Sequence, residues 1–214
     1  MNDRIDSSRD NKRAGKLFIL SGPSGTGKGT VVKQILKTCE NVALSVSMTT
    51  RASRRGEVHG ESYYFVSQEE FEKIIDKNGF LEYAKVYEHY YGTPREKVMQ
   101  DLDAGRDVLL EIDIQGAMKV KRSFPDGIFI FLLPPSLKEL RRRIEARATD
   151  AQDVIDLRMS KAAEEIRYLP AYDYYVINDD LTEAVEKVKS IFSAEHQRVD
   201  RTAERIMERY KEAD

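Results

Sequence analysis

Residues 22–30 read Gly22-Pro23-Ser24-Gly25-Thr26-Gly27-Lys28-Gly29-Thr30. They follow the apolar run Leu17-Phe18-Ile19-Leu20 and open a helical pattern, Val31-Val32-Lys33-Gln34-Ile35-Leu36-Lys37. Strand, glycine-rich turn, lysine and helix, in that order, is the context a phosphate-binding P-loop requires. Glycines let successive backbone N–H groups curl around an anion. The helix start adds unpaired donors and the positive end of its dipole. Lys28 supplies a charge that can follow a moving phosphate. One position departs from the general pattern: Gly29 stands where a Ser or Thr hydroxyl usually meets magnesium. Thr30 is the next hydroxyl, so either it takes part of that role or more water surrounds the ion.

Working outward, 214 residues make one large domain, or one core with inserts, long enough to bury a sizeable core without staples. A net charge of -2 gives no bulk basicity, so nucleic acid is not an expected partner. The lone Cys39 excludes a disulfide framework and suits a reducing cytoplasm. His59, His89 and His196 are scattered, and no His/Cys metal site is expected. The longest apolar run, Ile128–Leu133, is far too short to span a bilayer, so no membrane partner is expected. Residues 1–14 are polar, lack the apolar segment of a signal peptide, and read as a mobile tail.

Lys16–Ser21, Asp107–Asp113, Ile128–Leu133 and Tyr174–Asn178 read as buried parallel strands. Helices are expected over Glu96–Leu102, over Leu137–Arg147 with Ser136 as N-cap, and from Thr182 onward. The fold class is α/β, a parallel sheet flanked by helices. Between Ser45 and Thr93 the texture changes to short strand-like pieces, Leu44–Met48, Tyr63–Val66, Phe80–Tyr87 and His89–Tyr91. This predicts a small antiparallel sheet inserted into the core. A second, arginine-rich helical insert spans Arg141 to Arg167.

Three further groups can carry chemistry. Leu109-Leu110-Glu111-Ile112-Asp113 is an apolar strand ending in acids, and beside a P-loop strand such an acid holds magnesium, often through water. Arg51, Arg54 and Arg55 cluster in a turn-like segment, and Arg141, Arg142, Arg143, Arg147 and Arg158 recur later. Guanidinium forks suit phosphate oxygens, although solvated loops and ion-paired surface helices account for many such residues. Tyr63, Glu82, Tyr91 and Thr93 fit either aromatic sheet packing or a base pocket. A buried carboxylate accepts two hydrogen bonds from the N1–H and N2–H₂ edge of guanine. Adenine lacks that donor pair and would leave Glu82 unpaired.

Taken together, GPSGTGKGT, SVSMTTRASRRGEVHGESYYFV, FLEYAKVYEHYYGTP, VLLEIDIQGA, EARATDAQDVIDLRM and YDYYVINDDL resemble the guanylate kinases, in order and over residues 16–192. The resemblance implies a P-loop core (15–44, 95–136 and 170–214), a GMP-binding insert (45–94) and a lid (137–169). It implies that Lys28 and the loop from Gly22 through Pro23, Ser24, Gly25, Thr26, Gly27 and Gly29 to Thr30 hold the ATP phosphates, with Asn178 near adenine. Arg51, Arg54 and Tyr63 would hold the GMP phosphate. Ser47, Glu82 and Thr93 would read guanine, with Tyr91, Glu111 and Asp113 lining the site. Arg147 and Arg158 would clamp the transferring phosphoryl, and Thr30 and Asp113 would order magnesium. Ala148 departs from the glycine common in such lids. The implied reaction is MgATP + GMP giving ADP + GDP, in-line and without a covalent intermediate, by a cytoplasmic monomer or homodimer. Two rivals remain: a kinase for another nucleoside monophosphate, and a catalytically silent interaction module, which the intact Lys28, Arg51, Arg54, Arg147 and Arg158 disfavour.

Overall fold

The computed structural model describes residues 14–86, 88–147, 152–199 and 203–211, the side chains of Arg147, Glu204, Arg205 and Arg209 excepted. The expected tail, Ala14 apart, therefore lies outside the described residues, as do Tyr87 and Ala148. The elements run β1 (Leu17–Ser21), α1 (Lys28–Thr38), β2 (Val42–Leu44), β3 (Met48–Thr49), β4 (Tyr64–Phe65), α2 (Gln68–Asp76), β5 (Phe80–Val86), β6 (His89–Pro94) and α3 (Arg95–Asp103). They continue with β7 (Asp107–Glu111), α4 (Ile114–Ser123), β8 (Ile128–Leu133), α5 (Leu137–Arg147), α6 (Gln152–Ile166), a 3-10 turn (Leu169–Ala171), β9 (Tyr174–Ile177), α7 (Leu181–Glu195) and α8 (Ala203–Lys211).

The core is a parallel sheet in the order β2-β7-β1-β8-β9. Successive side chains of a strand point to opposite faces, and both faces of the central strands β7, β1 and β8 are covered, whereas β9, expected as a buried strand, lies at the sheet edge and leaves Tyr175 and Ile177 exposed. Phe18, Leu20, Leu109, Ile130 and Val176 pack beneath Val31 and Ile35 of α1 and Val185, Val188 and Phe192 of α7. Leu17, Ile19, Val108, Leu110 and Phe129 pack against Val98 and Leu102 of α3 and Ala117 and Val120 of α4. Continuous apolar runs are what burial on both faces demands. The carboxyl ends of β1 and β7 open onto one edge, where α/β sheets bind ligands.

Two further expectations are corrected. The stretch Leu44–Met48 is not one strand: Leu44 closes β2 on the outer edge of the core sheet, and Met48 opens β3 in the second sheet. Ser45 still donates its N–H to the Leu109 carbonyl, so the chain leaves the core only after that residue. The inserted sheet, ordered β4-β3-β6-β5, is mixed rather than antiparallel, because β3 and β4 run parallel. The intervening loop over residues 50–63 carries the chain back to the start of the sheet before β4 begins. The insert has its own apolar centre, where Phe71 of α2 stacks on Phe80 at 4.3 Å and on Tyr90 at 5.2 Å. A Ser67/Glu70 capping box fixes the start of α2.

Candidate active site

The loop between β1 and α1 is shaped by glycines. Gly27 caps α1 at φ 91°, a left-handed conformation that costs an L-residue about 1–2 kcal/mol. A Cβ on Gly22 would lie 2.2 Å from the Leu132 carbonyl oxygen of β8, so the loop passes too close to the sheet for a side chain. In the first turn of α1 the Thr30 N–H donates to the Gly27 carbonyl at 3.1 Å, while the N–H groups that open a helix have no acceptor one turn back and suit an anion. Thr26 is fully buried, and its hydroxyl donates to the Pro23 carbonyl at 2.9 Å. Lys28 Nζ folds over the loop and donates to the carbonyls of Gly22 (2.6 Å) and Pro23 (3.1 Å). Asn178, buried at the end of β9, donates its amide to the Thr26 carbonyl at 2.8 Å and so braces the loop from below.

Above the loop lies a cavity of ≈ 380 Å³ lined by Gly22, Ser24, Gly25, Gly27, Lys28, Gly29, Thr30, Glu111, Asp113 and Glu165. Burial lowers the Lys28 pKa, and the carboxylates of Glu111, Glu165 and Asp113 oppose that shift and hold its charge. Burial likewise pushes Glu111 up against the pull of Lys28. A Cβ on Gly29 would stand 3.4 Å from Glu111 Oε1, so the place of the usual loop hydroxyl faces a carboxylate. Beside the loop, the Tyr172 hydroxyl is buried, which raises its pKa to about 12.

A second cavity, of ≈ 460 Å³, lies between the inserted sheet and α4, lined among others by Ser47, Tyr63, Glu82, Tyr91, Asp113, Gln115, Gly116 and Lys119. Asp113 belongs to both cavities. It stands past the end of β7 as the N-cap of α4, where Oδ1 accepts the Gly116 N–H at 2.7 Å. Glu82 takes a 2.8 Å hydrogen bond from the buried Thr93 hydroxyl. Burial is the main cause that raises the Glu82 pKa; the Thr93 bond lowers it, Asp113 raises it, and Lys119 lowers it.

Tyr63 and Tyr91 meet edge to face with centroids 6.0 Å apart, and the Arg51 guanidinium lies 5.6 Å from the Tyr63 ring centroid. Arg51 Nη2 donates to both carboxylate oxygens of Glu57, at 2.8 and 3.0 Å, while Glu57 also accepts the Arg54 backbone N–H at 2.7 Å. The Arg54 side chain is exposed on the loop.

The structure thus gathers Lys28, Thr30, Glu111 and Asp113 at one cavity and Ser47, Tyr63, Glu82, Tyr91 and Asp113 at the other. Thr93 supports Glu82, and Arg51 backs onto Tyr63. Arg158 stands on α6, outside the lining of either cavity, and the Arg147 side chain lies outside the described residues. Of the other expected arginines, Arg142 and Arg143 pair with Glu139, and Arg141 pairs with Asp156. Arg143 also donates to the Asn178 carbonyl at 2.9 Å, tying α5 to the end of β9. Sequence reasoning missed Glu57, Lys119 and Glu165. Glu57 had a signal, an acid inside an arginine cluster; Lys119 and Glu165 are ordinary polar positions of helices.

A P-loop at the end of a parallel sheet, with a second polar cavity joined to it through one acid, is the arrangement of a P-loop kinase. The guanylate kinase family profile matches residues 14–195, and the chain belongs to that family. It is 54% identical over 190 residues to the guanylate kinase of Caldanaerobacter subterraneus subsp. tengcongensis, spanning 89% of this chain and 92% of the relative. It is 55% identical over 193 residues to that of Clostridium tetani, spanning 90% and 92%. The crystal structure of guanylate kinase from Anaplasma phagocytophilum superposes with a TM-score of 0.67 at 38% identity, covering 87% of this chain and 89% of that one.

Proposed function

We infer that the chain transfers the γ-phosphoryl group of ATP to GMP, giving ADP and GDP, a step of purine nucleotide metabolism, and that the two cavities divide the substrates. The observation that carries the division is Asp113, which lines both, so phosphates bound on either side meet at one place. ATP lies with its phosphates in the loop from Gly22 to Thr30, where backbone N–H groups and Lys28 face them. GMP lies between the inserted sheet and α4. Glu82 accepts the N1–H and N2–H₂ edge of guanine with Ser47 and Thr93 beside it. Tyr63, Arg51 and Arg54 hold the GMP phosphate, and Tyr91 flanks it. Arg147 and Arg158 reach the transferring group when α5 and α6 close.

ATP-using kinases generally need a divalent metal. Among the described residues no three His, Cys, Asp or Glu side chains converge closely enough to hold one alone. The Thr30 hydroxyl and the carboxylates of Glu111 and Asp113 beside the phosphate cradle fit Mg²⁺, which keeps several waters and binds through phosphates and one or two carboxylates. Mg²⁺ bound with ATP would neutralise charge on the phosphates. The protein's own part is alignment: Lys28 and the loop amides fix the donor, and the insert fixes the acceptor oxygen in line with it. Closure of the insert and lid excludes water that would otherwise accept the phosphoryl group. Among the described residues no helix is long and apolar enough to cross a membrane. The single thiol, Cys39, suits action in the cytoplasm.

The test is ADP release from MgATP with GMP, AMP, CMP and UMP offered separately. Turnover with GMP alone is expected. Turnover with another monophosphate in preference to GMP would overturn the reading of the Glu82 pocket.

A further inference from the structure

One side chain in the phosphate cavity comes from neither the loop nor the strand ends. Glu165 lies in the last turn of α6, just before the 3-10 turn at Leu169–Ala171 that leads back to the core through Tyr172. It lines that cavity together with Ser24, Gly25 and Lys28, and the charges that act on its carboxylate are Lys28, Asp113 and Lys161, the last one turn back on its own helix. An acid near a helix end is ordinarily a solvated surface group, and Lys161 at i−4 would serve as its surface partner. Glu165 is instead half-buried and turned into the cavity that Lys28 and the loop line.

The position has an electrostatic consequence. A P-loop is a cradle for an anion, made of backbone donors and one lysine. Without nucleotide, Lys28 has Glu165 among its counter-charges. When ATP enters, its phosphates take over that role and bring several negative charges beside a carboxylate already close to Asp113. Like charges in a partly desolvated site repel strongly, so the acid must leave, and α6 carries it. Leu140 and Ile144 of the preceding helix pack with Ile155 and Ala162 of α6, so the two helices form one body.

We propose that Glu165 is a lid-borne placeholder for an ATP phosphate: its carboxylate occupies the mouth of the cradle, ATP displaces it, and the displacement releases the root of the lid for closure. This rests on reading the cavity above Gly22–Thr30 as the ATP site. Glu165 acts on Lys28 and the loop, so it is a positioning residue.

The test measures binding of AMP-PNP with Mg²⁺ by calorimetry, in the absence of GMP, together with ADP release from MgATP without GMP. Glu165→Gln removes the charge and keeps the shape. It is expected to bind AMP-PNP about fivefold more tightly than the unaltered protein and to release more ADP without GMP. Glu165→Asp, whose shorter carboxylate withdraws from the cavity, is expected to tighten binding in the same direction and serves if the first variant does not fold. Glu164→Gln, an exposed neighbour, controls for bulk charge and is expected to leave both readouts unchanged. Unchanged or weaker binding by the Glu165 variants would overturn the proposal, as would equal tightening by Glu164→Gln. In either case GMP-dependent turnover leaves the kinase reading standing. Failure of the unaltered protein to bind AMP-PNP would overturn both.

Discussion

Glu82 and Thr93 are register partners across β5 and β6, and the Thr93 hydroxyl donates to Glu82 Oε1 at 2.8 Å. The register shifts between Phe80 and Glu82, an irregularity of the kind that re-aims a side chain. The hydroxyl fixes one carboxylate oxygen, and the carboxylate lines the cavity.

Glu82→Gln keeps the volume and can still accept from Thr93, so the fold is expected to survive. The amide cannot accept both guanine donors with a full charge. The expected loss in kcat/KM for GMP is about a hundredfold, or ~3 kcal/mol. AMP turnover should change far less. Steady-state kinetics with both monophosphates checks this, and an unchanged preference for GMP would refute the base-pocket assignment.

The pH profile should report the same carboxylate. Burial raises its pKa, so it takes up a proton on acidification before an ordinary carboxylate would. kcat/KM for GMP should therefore fall as pH drops, with an inflection above the usual carboxylate range, and Glu82→Gln should lack that inflection. The stability sign is opposite. Between the unfolded and the raised folded pKa the folded state binds more protons, so this group's contribution to stability decreases as pH rises through that interval. Thermal melts across the window, with Glu82→Gln as the flat reference, measure it.

Glu57 accepts from Arg51 Nη2 with both carboxylate oxygens, and Arg51 Nη1 donates to the Ala52 carbonyl at 2.7 Å. Glu57→Gln is expected to loosen this contact and raise KM for GMP about tenfold with a smaller change in kcat, since a charge-assisted hydrogen bond is roughly twice as strong as a neutral one. A KM equal to that of the unaltered protein would show that the loop keeps Arg51 in place without it.

Gly27→Ala would force a side chain into a left-handed conformation, with its Cβ 2.6 Å from Asn178 Nδ2. The brace from Asn178 to the Thr26 carbonyl would have to shift. A cost of about 2 kcal/mol is expected, which lowers Tm by about 4–8 °C in a chain of this size. Calorimetric melting is the direct readout, and a Tm within a degree of the unaltered protein would contradict the geometry.

Lys28→Ala should reduce kcat by about a thousandfold, because phosphoryl transfer relies on placed positive charge more than on bond chemistry. Intact turnover in this variant would contradict the role given to the loop.

The local elements of this protein were legible in the chain. Nine contiguous residues, Gly22 to Thr30, are a P-loop by themselves, because their glycines and lysine act on a ligand through neighbouring backbone. The runs Leu17–Leu20, Val108–Leu110 and Ile128–Leu132 are apolar throughout, which is how a strand buried on both faces reads, whereas Tyr174–Ile177 reads the same way but forms an edge strand with Tyr175 and Ile177 exposed. β2 was not legible as a core strand, because three half-exposed residues at a sheet edge carry little pattern. The direction of β4 was not legible either, since parallel or antiparallel pairing depends on the path of the loop before it.

At the site the division falls in the same place. Amino-acid type and motif order pointed to the loop, the acid strand and the residues that line the second cavity, because each depends on a few neighbours or on one chemical group. The tertiary structure alone decided that Asp113 borders both cavities, that Glu57 holds Arg51, that Asn178 braces Thr26 from 152 residues away, and that Glu165 lies over the cradle. Those relations depend on where separate helices and loops come to rest, and an isolated Glu or Asn in a polar stretch looks the same in sequence whether it faces water or Lys28.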